Sequence, residues 1–292
     1  MPIQLRFYSD PACPRSWGVE PALRRLLWEF EGELEPVWVM GGLARRYGAD
    51  YRDQEGGVGN GSDVFADLTS HWLALASETR MPYDPRIWGR SPLDSTYPAC
   101  QAVKAASEQG ADAAYRYLRR LREGIMVFGR KLDHAEALVA EAGPAGLDRE
   151  RFEIDLRSHA ITEAFAADLD EVRNPPEETR AAGAVFETEG HERIAFPSAV
   201  FLAEDGSRHG VWGFSDHEPL RAGALAAGAA ATNEGALEPL AAVERFGRLA
   251  TREFEQLALR PRPVIEAELW SLARDWKLKP IPALTGTLWE LP

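Results

Sequence analysis

The sequence predicts an α/β fold: a β-α-β opening, a large inserted α-helical domain, a return to strands, and a small C-terminal module of three helices and a hairpin. Three observations carry this. Ile3, Leu5 and Phe7 alternate as in a half-buried strand, whereas Val19, Leu23, Leu26, Leu27 and Phe30 recur at helical spacing. From about residue 60 to 175 the apolar residues keep the helical period. Two short stretches, Ser198-Ala199-Val200-Phe201-Leu202 and Arg208-His209-Gly210-Val211-Trp212, then flank Asp205-Gly206, and Asp-Gly is the pair that supplies the positive φ of a tight hairpin.

The first strand hands over to the first helix through Ser9-Asp10-Pro11-Ala12-Cys13-Pro14-Arg15-Ser16-Trp17. Pro14 suits the first helical position, where its missing N–H would have had no partner, and this puts Cys13 at a helix N-terminus. Unpaired N–H groups and the positive end of the helix dipole favour a thiolate there, so the direct reading is a reactive thiol of depressed pKa. Leu34 and Pro36-Val37-Trp38-Val39-Met40 read as the second strand, ending at Gly41-Gly42. The stretch Glu55-Gly56-Gly57-Val58-Gly59-Asn60-Gly61-Ser62 lacks the lysine of a P-loop, so a flexible loop is expected, with Ser62 capping the next helix. That helix carries Phe65, Leu68, Trp72 and Leu75 on one face. Further helices are expected over 99–109, 111–127, 133–142, 149–158 and 161–173, the last stopped by Pro175-Pro176. After the hairpin an Ala-rich helix over 216–231 closes the unit, and Asn233-Glu234-Gly235 reads as a linker.

C-P-R-S resembles the C-x-x-C of thioredoxin-like proteins with the second cysteine replaced by Ser16. A hydroxyl cannot attack a mixed disulfide near neutral pH, so the chain is expected to capture a disulfide partner and not to release it unaided. Ser16 can still donate a hydrogen bond to the Cys13 thiolate. D-P-A-C-P-R-S-W, the later Phe196-Pro197-Ser198 and the helical stretch between them resemble the DsbA family, and within it the FrnE-like subgroup, from the N-terminus to roughly residue 230. The resemblance implies a thioredoxin-like fold over 1–232, with the helical insertion at about 60–175 as a lid over the substrate cleft. It also implies that Pro197 is cis and faces the active-site cysteine, and that Phe196 offers backbone hydrogen bonds to an extended substrate. Cys13, Ser16 and Pro197 are then the catalytic set, and Pro14, Arg15, Trp17 and Phe196 the substrate contacts. Arg15 adds a charge that stabilises a thiolate or binds a carboxylate such as that of glutathione. Relatives with serine at the motif include glutathione-dependent transferases and isomerases, an alternative that Ser16 keeps open.

The 292 residues suffice for about two domains. A net charge of −13 repels nucleic acid and anionic membranes. Two cysteines make no disulfide framework, and no Cys/His cluster has zinc-ligand spacing. With no leader pattern and no apolar run of spanning length, the expectation is a soluble cytoplasmic protein, whose reducing surroundings favour a thiol that cycles with a small thiol or a reductase. No tightly bound cofactor is expected; glutathione or another low-molecular-weight thiol is the expected co-reactant.

Residues 238–292 resemble a small winged helix, with helices near Val243 and Phe246, after Thr251, and a third carrying Ile265, Leu269, Leu272 and Trp276, before a hairpin turning at Thr285-Gly286. Its eight cationic side chains are matched by eight acidic ones, so docking of a partner or a homodimer contact is expected rather than DNA binding. Cys100 shares a helical face with Val103 and Ser107 and reads as core; in the cleft it would be a distant resolving thiol. His71 reads as an ordinary histidine rather than a general base, and Tyr115, Tyr117, Leu118 and Leu121 as packing. The leading functional expectation is monothiol thiol–disulfide exchange with Cys13 as nucleophile, acting on a disulfide-containing protein or small thiol. A glutathione-type transferase or isomerase and a non-catalytic binding protein are the alternatives.

Overall fold

The computed structural model describes residues 2–61 and 63–292. Strand β1 (Ile3–Ser9) leads through Cys13 into α1 (Pro14–Gly18) and α2 (Glu20–Glu29), and β2 (Leu34–Met40) returns parallel to β1 with Phe7 opposite Trp38. The helix after Cys13 is interrupted at Val19, because Pro21 has no N–H to give the Trp17 carbonyl.

The insertion contains α3 (Val64–Thr79), α4 (Ile87–Arg90), α5 (Tyr97–Ser107), α6 (Ala111–Arg122), α7 (Ala135–Ala142), α8 (Arg149–Leu156) and α9 (His159–Arg173). The helix expected over 111–127 ends in a π-helical turn, Glu123–Val127. The expected cap Ser62 lies outside the described residues; Asp63 caps α3, accepting from Phe65 N at 2.9 Å. After the short α10 (Glu177–Ala181) comes a hairpin that periodicity did not reveal, β3 (Val185–Thr188) and β4 (His191–Ile194). Its turn, Glu189-Gly190, has φ of 50° and 76°, the mirror-image geometry whose twist matches that of the flanking strands.

Strands β5 (Ser198–Leu202) and β6 (Arg208–Val211) form the expected Asp205-Gly206 hairpin and complete a sheet of order β2-β1-β5-β6, with β1 and β5 antiparallel. Helix α11 (His217–Ala226) follows. One face of the sheet buries Ile3, Leu5 and Phe7 together with Leu23 and Leu26 of α2. The other buries Tyr8, Val39 and Val200 with Ile194, Phe196 and Val172 of α9. Cys13 belongs to this second cluster, so the thiol is set where the sheet meets the insertion.

The tail comprises α12 (Pro239–Phe246), β7 (Leu249–Ala250), α13 (Thr251–Ala258), α14 (Arg262–Arg274), β8 (Lys279–Pro282) and β9 (Thr287–Glu290), with strand order β7-β9-β8. It lies against α2, whose Trp28 is buried with Val243, Phe254 and Ile265. Each such apolar side chain contributes about 1.5–3 kcal/mol on burial. Trp276, expected on the third tail helix, instead falls beyond its end with φ 58° and is exposed. Asn233-Glu234-Gly235 is held by α2: Arg25 Nη1 donates to the Gly235 carbonyl at 2.7 Å and Asn233 N to the Glu29 carbonyl at 3.0 Å.

Candidate functional site

The turn between β1 and α1 is pinned from below by Asp10, a fully buried carboxylate. It accepts from Ala12 N, Leu43 N and Thr96 Oγ1, each at 2.7 Å, and from Cys100 Sγ at 3.3 Å. Burial raises the Asp10 carboxyl above its usual range, and those hydrogen bonds pull in the opposite direction. The turn delivers Cys13 to the N-cap of α1, with Pro14 at the first helical position, and Ser16 N donates to Cys13 Sγ at 3.4 Å. Across the cleft the Phe196-Pro197 bond is cis, and the Cys13 thiol points at the Phe196 carbonyl, 3.9 Å away. Gly41 makes this approach possible: a Cβ there would lie 1.8 Å from Phe196 Cζ.

Beside the thiol stands a charged cluster that sequence reasoning missed. Arg193 of β4 is buried, donates to Asp53 Oδ1 at 2.8 Å, Glu55 Oε2 at 2.7 Å and Thr188 Oγ1 at 2.7 Å, and lies 4.5 Å over the Phe196 ring. Glu55 Oε2 also accepts the Phe196 N–H at 3.1 Å. Burial alone would lower the Arg193 pKa, but Glu55 and Asp53 outweigh it and hold the guanidinium charged. The Glu55 carboxyl is raised: burial outweighs the Arg193 guanidinium and the Phe196 N–H, and the nearby Asp53 adds a smaller push in the same direction. An arginine directly before the apolar run I-A-F was the available signal, since a charge drawn into the core is buried only with a partner.

These groups and α3 line a partly open pocket against Cys13 with about 20 Å³ of room, enough for about one water. The expected depressed thiol pKa is corrected: burial, then the negative charge of Glu55, push Cys13 up to about 11 against the hydrogen bonding from Ser16. Helix-end donors cannot offset the loss of solvent at a cysteine only 4% exposed. The Ser16 backbone N–H donates to the sulfur, and the buried Ser16 hydroxyl, which also helps to hold the thiol's pKa down, has no other partner among the described residues.

Of the expected substrate contacts, Pro14 is buried and gives its carbonyl to Tyr83 Oη at 2.7 Å, and Arg15 lines the pocket half-buried. Phe196 is buried with its backbone polar groups facing Glu55 and Cys13. Trp17 is corrected: it is wholly buried, donating to the Pro82 carbonyl at 2.8 Å under the Arg119 guanidinium, and offers a ligand no surface. His71 and Trp72 of α3 line the pocket, and burial, then Arg15, lower His71 to about 4, so it is neutral at neutral pH. Cys100 is core, hydrogen-bonded to Asp10. A larger groove of about 950 Å³ lies between α2, α6 and the tail, but its Arg24, Arg119, Arg245 and Arg248 are each engaged by a carboxylate.

Residues 7–174 match the thioredoxin family. The ClpXP adapter protein SpxH of Halalkalibacterium halodurans is 29% identical over 168 residues, which cover 58% of this chain and 53% of that protein, so the match spans about half of its length. SpxH of Shouchella clausii is 25% identical over 296 residues, 99% of this chain and 88% of that protein. The structure of the cytosolic disulfide reductase DsbM of Pseudomonas aeruginosa superposes with a TM-score of 0.52 at 20% identity, covering 76% of this chain and 96% of that one. Among the described residues no helix is long and apolar enough to cross a membrane.

Proposed function

Because this chain belongs to the thioredoxin family and folds as DsbA-type members do, we propose that it captures disulfide-bearing proteins or small disulfides through Cys13 and relies on an external thiol, such as glutathione, for release. The observation that carries this reading is Cys13 Sγ at the cap of α1, facing the Phe196 carbonyl beside cis-Pro197, with Ser16 where a resolving thiol would stand. Cys13 loses its proton and attacks one sulfur of the incoming disulfide. The S–S bond breaks, one half departs as a thiolate that takes up a proton, and the other remains as a mixed disulfide. An external thiolate then attacks the captured half, forms a new disulfide with it and returns Cys13 as the thiol. Intact mass after incubation with oxidised glutathione should rise by one adduct in the wild type and in Cys100→Ser, and not in Cys13→Ser. An adduct that survives Cys13→Ser overturns the reading. Ser16→Cys should add turnover in reduction of a model disulfide by dithiothreitol, a gain that vanishes in the double change with Cys13→Ser.

A second reading, a protein that holds a partner without thiol chemistry, draws on the protonated, buried Cys13 and on similarity along nearly the whole chain to a protein named as a ClpXP adapter. Under it, partner binding is unchanged by Cys13→Ala; under the first, covalent capture is lost.

A further inference from the structure

We propose, resting on the exchange reading above, that Glu55 is a built-in occupant of the substrate's place: its carboxylate takes the Phe196 N–H that an extended substrate would use, and Cys13 is reached only when Glu55 swings away.

The sulfur is buried, and the space against it holds about one water, so a disulfide must displace part of the wall. Most of that wall is packed core: Ala12, Leu43, Tyr47, Leu68 and Trp72 are all buried. Glu55 and Gly56 differ. They sit in the glycine-rich stretch, half-buried, and the Glu55 side chain is held by polar contacts to Arg193 and to Phe196 N. The stem of the loop is fastened separately, through Asp53 to Thr188 Oγ1 at 2.8 Å and through the paired backbones of Asp53 and Val58. The backbone beside Glu55 is fastened too, Gln54 N to the Glu187 carbonyl at 2.9 Å and Gly56 N to Asp53 Oδ2 at 3.1 Å, so the Glu55 side chain is the part that can move while the loop stays.

The charges favour the same movement. With Glu55 in place one guanidinium faces two carboxylates; with Glu55 in water Arg193 keeps Asp53 and remains neutralised. What departure leaves unmet is the buried Phe196 N–H, and an unmet buried donor is unfavourable. A backbone carbonyl beside the incoming disulfide meets that need. Glu55 thus seals an idle thiol and gives way to a ligand that brings its own acceptor.

Four versions of the full-length chain separate reach from charge. Glu55 and Glu55→Gln both reach the Phe196 N–H, whereas Glu55→Asp and Glu55→Ala do not; Glu55 and Glu55→Asp share a charge that Glu55→Gln and Glu55→Ala lack. Labelling of Cys13 by iodoacetamide should be faster by about two- to tenfold in Glu55→Asp than in wild type, and in Glu55→Ala than in Glu55→Gln, the factor one ordinary hydrogen bond carries. Hydrogen exchange at the Phe196 amide should quicken in the same two variants. Labelling that follows charge alone, or a Phe196 amide equally protected in all four, overturns the proposal. Alkylation needs no disulfide chemistry. If no version forms a mixed disulfide and labelling still divides by reach, the exchange reading fails and the role of Glu55 stands.

Discussion

Two buried charge clusters flank this sheet, and they are built to opposite ends. In the seam between α2, α6 and α13, Arg24, Arg119 and Arg122 meet Glu20, Glu123 and Glu253 charge for charge. Arg24 Nε lies 2.6 Å from Glu253, Arg119 lies 2.8 Å from both Glu253 and Glu123, and Arg122 bonds to Glu20 and to Ser9 Oγ. Burial would raise the Glu20 carboxyl, but three guanidiniums outweigh it and hold it below its usual range. At the thiol, a single guanidinium serves Asp53 and Glu55, and Glu55 is raised. Unequal pairing separates a rivet from a latch: a fully matched carboxylate resists removal, whereas an under-matched one at the edge of the core is poised to leave.

The comparison breaks most visibly at Arg119. Arg119→Ala strips three buried carboxylates at once and should lower unfolding stability by about 3–5 kcal/mol, read from urea denaturation. A loss below about 1 kcal/mol would mean that the seam carries none of the fold. Arg193→Ala should cost less, about 1–3 kcal/mol, because Glu55 can take up a proton once its cation is gone. A loss as large as that of Arg119→Ala would erase the distinction.

The finest test is the sign of the pH dependence. Glu20 has a depressed folded pKa, so its contribution is present above the unfolded value of about 4.3 and disappears as pH falls through the folded pKa. Glu20→Gln should therefore destabilise at neutral pH and approach wild type in acid. Glu55 has a raised folded pKa, so wild type loses stability as pH rises through it, and Glu55→Gln should be the more stable protein at neutral pH, the gap closing below about 4.3. Two curves that bend the same way would show that pairing does not distinguish the clusters.

Much of this fold is legible because its signals are local. Pro14 after Cys13, Asp-Gly at 205–206 and the proline stop after Arg173 each act through the conformation of one or two residues, and the structure places an N-cap, a hairpin turn and a helix end there. The β3–β4 hairpin escaped because Glu187, His191, Glu192 and Arg193 obscure its alternation, and its turn pairs a glutamate with the glycine.

The site divides along the same line. Sequence by itself determined that one thiol stands at a helix start with no second thiol a turn away, since chain connectivity alone sets the spacing of Cys13 and Ser16. It also placed Phe196-Pro197 opposite, through resemblance to a family. Only tertiary structure decided the state of that thiol. The Glu55 carboxylate meets an arginine 138 residues along the chain and closes over the sulfur, and burial, a property of the whole packed wall, reverses the pKa that the helix end alone would set. A dipole acts within its own helix; desolvation and a neighbouring charge depend on what the fold brings near.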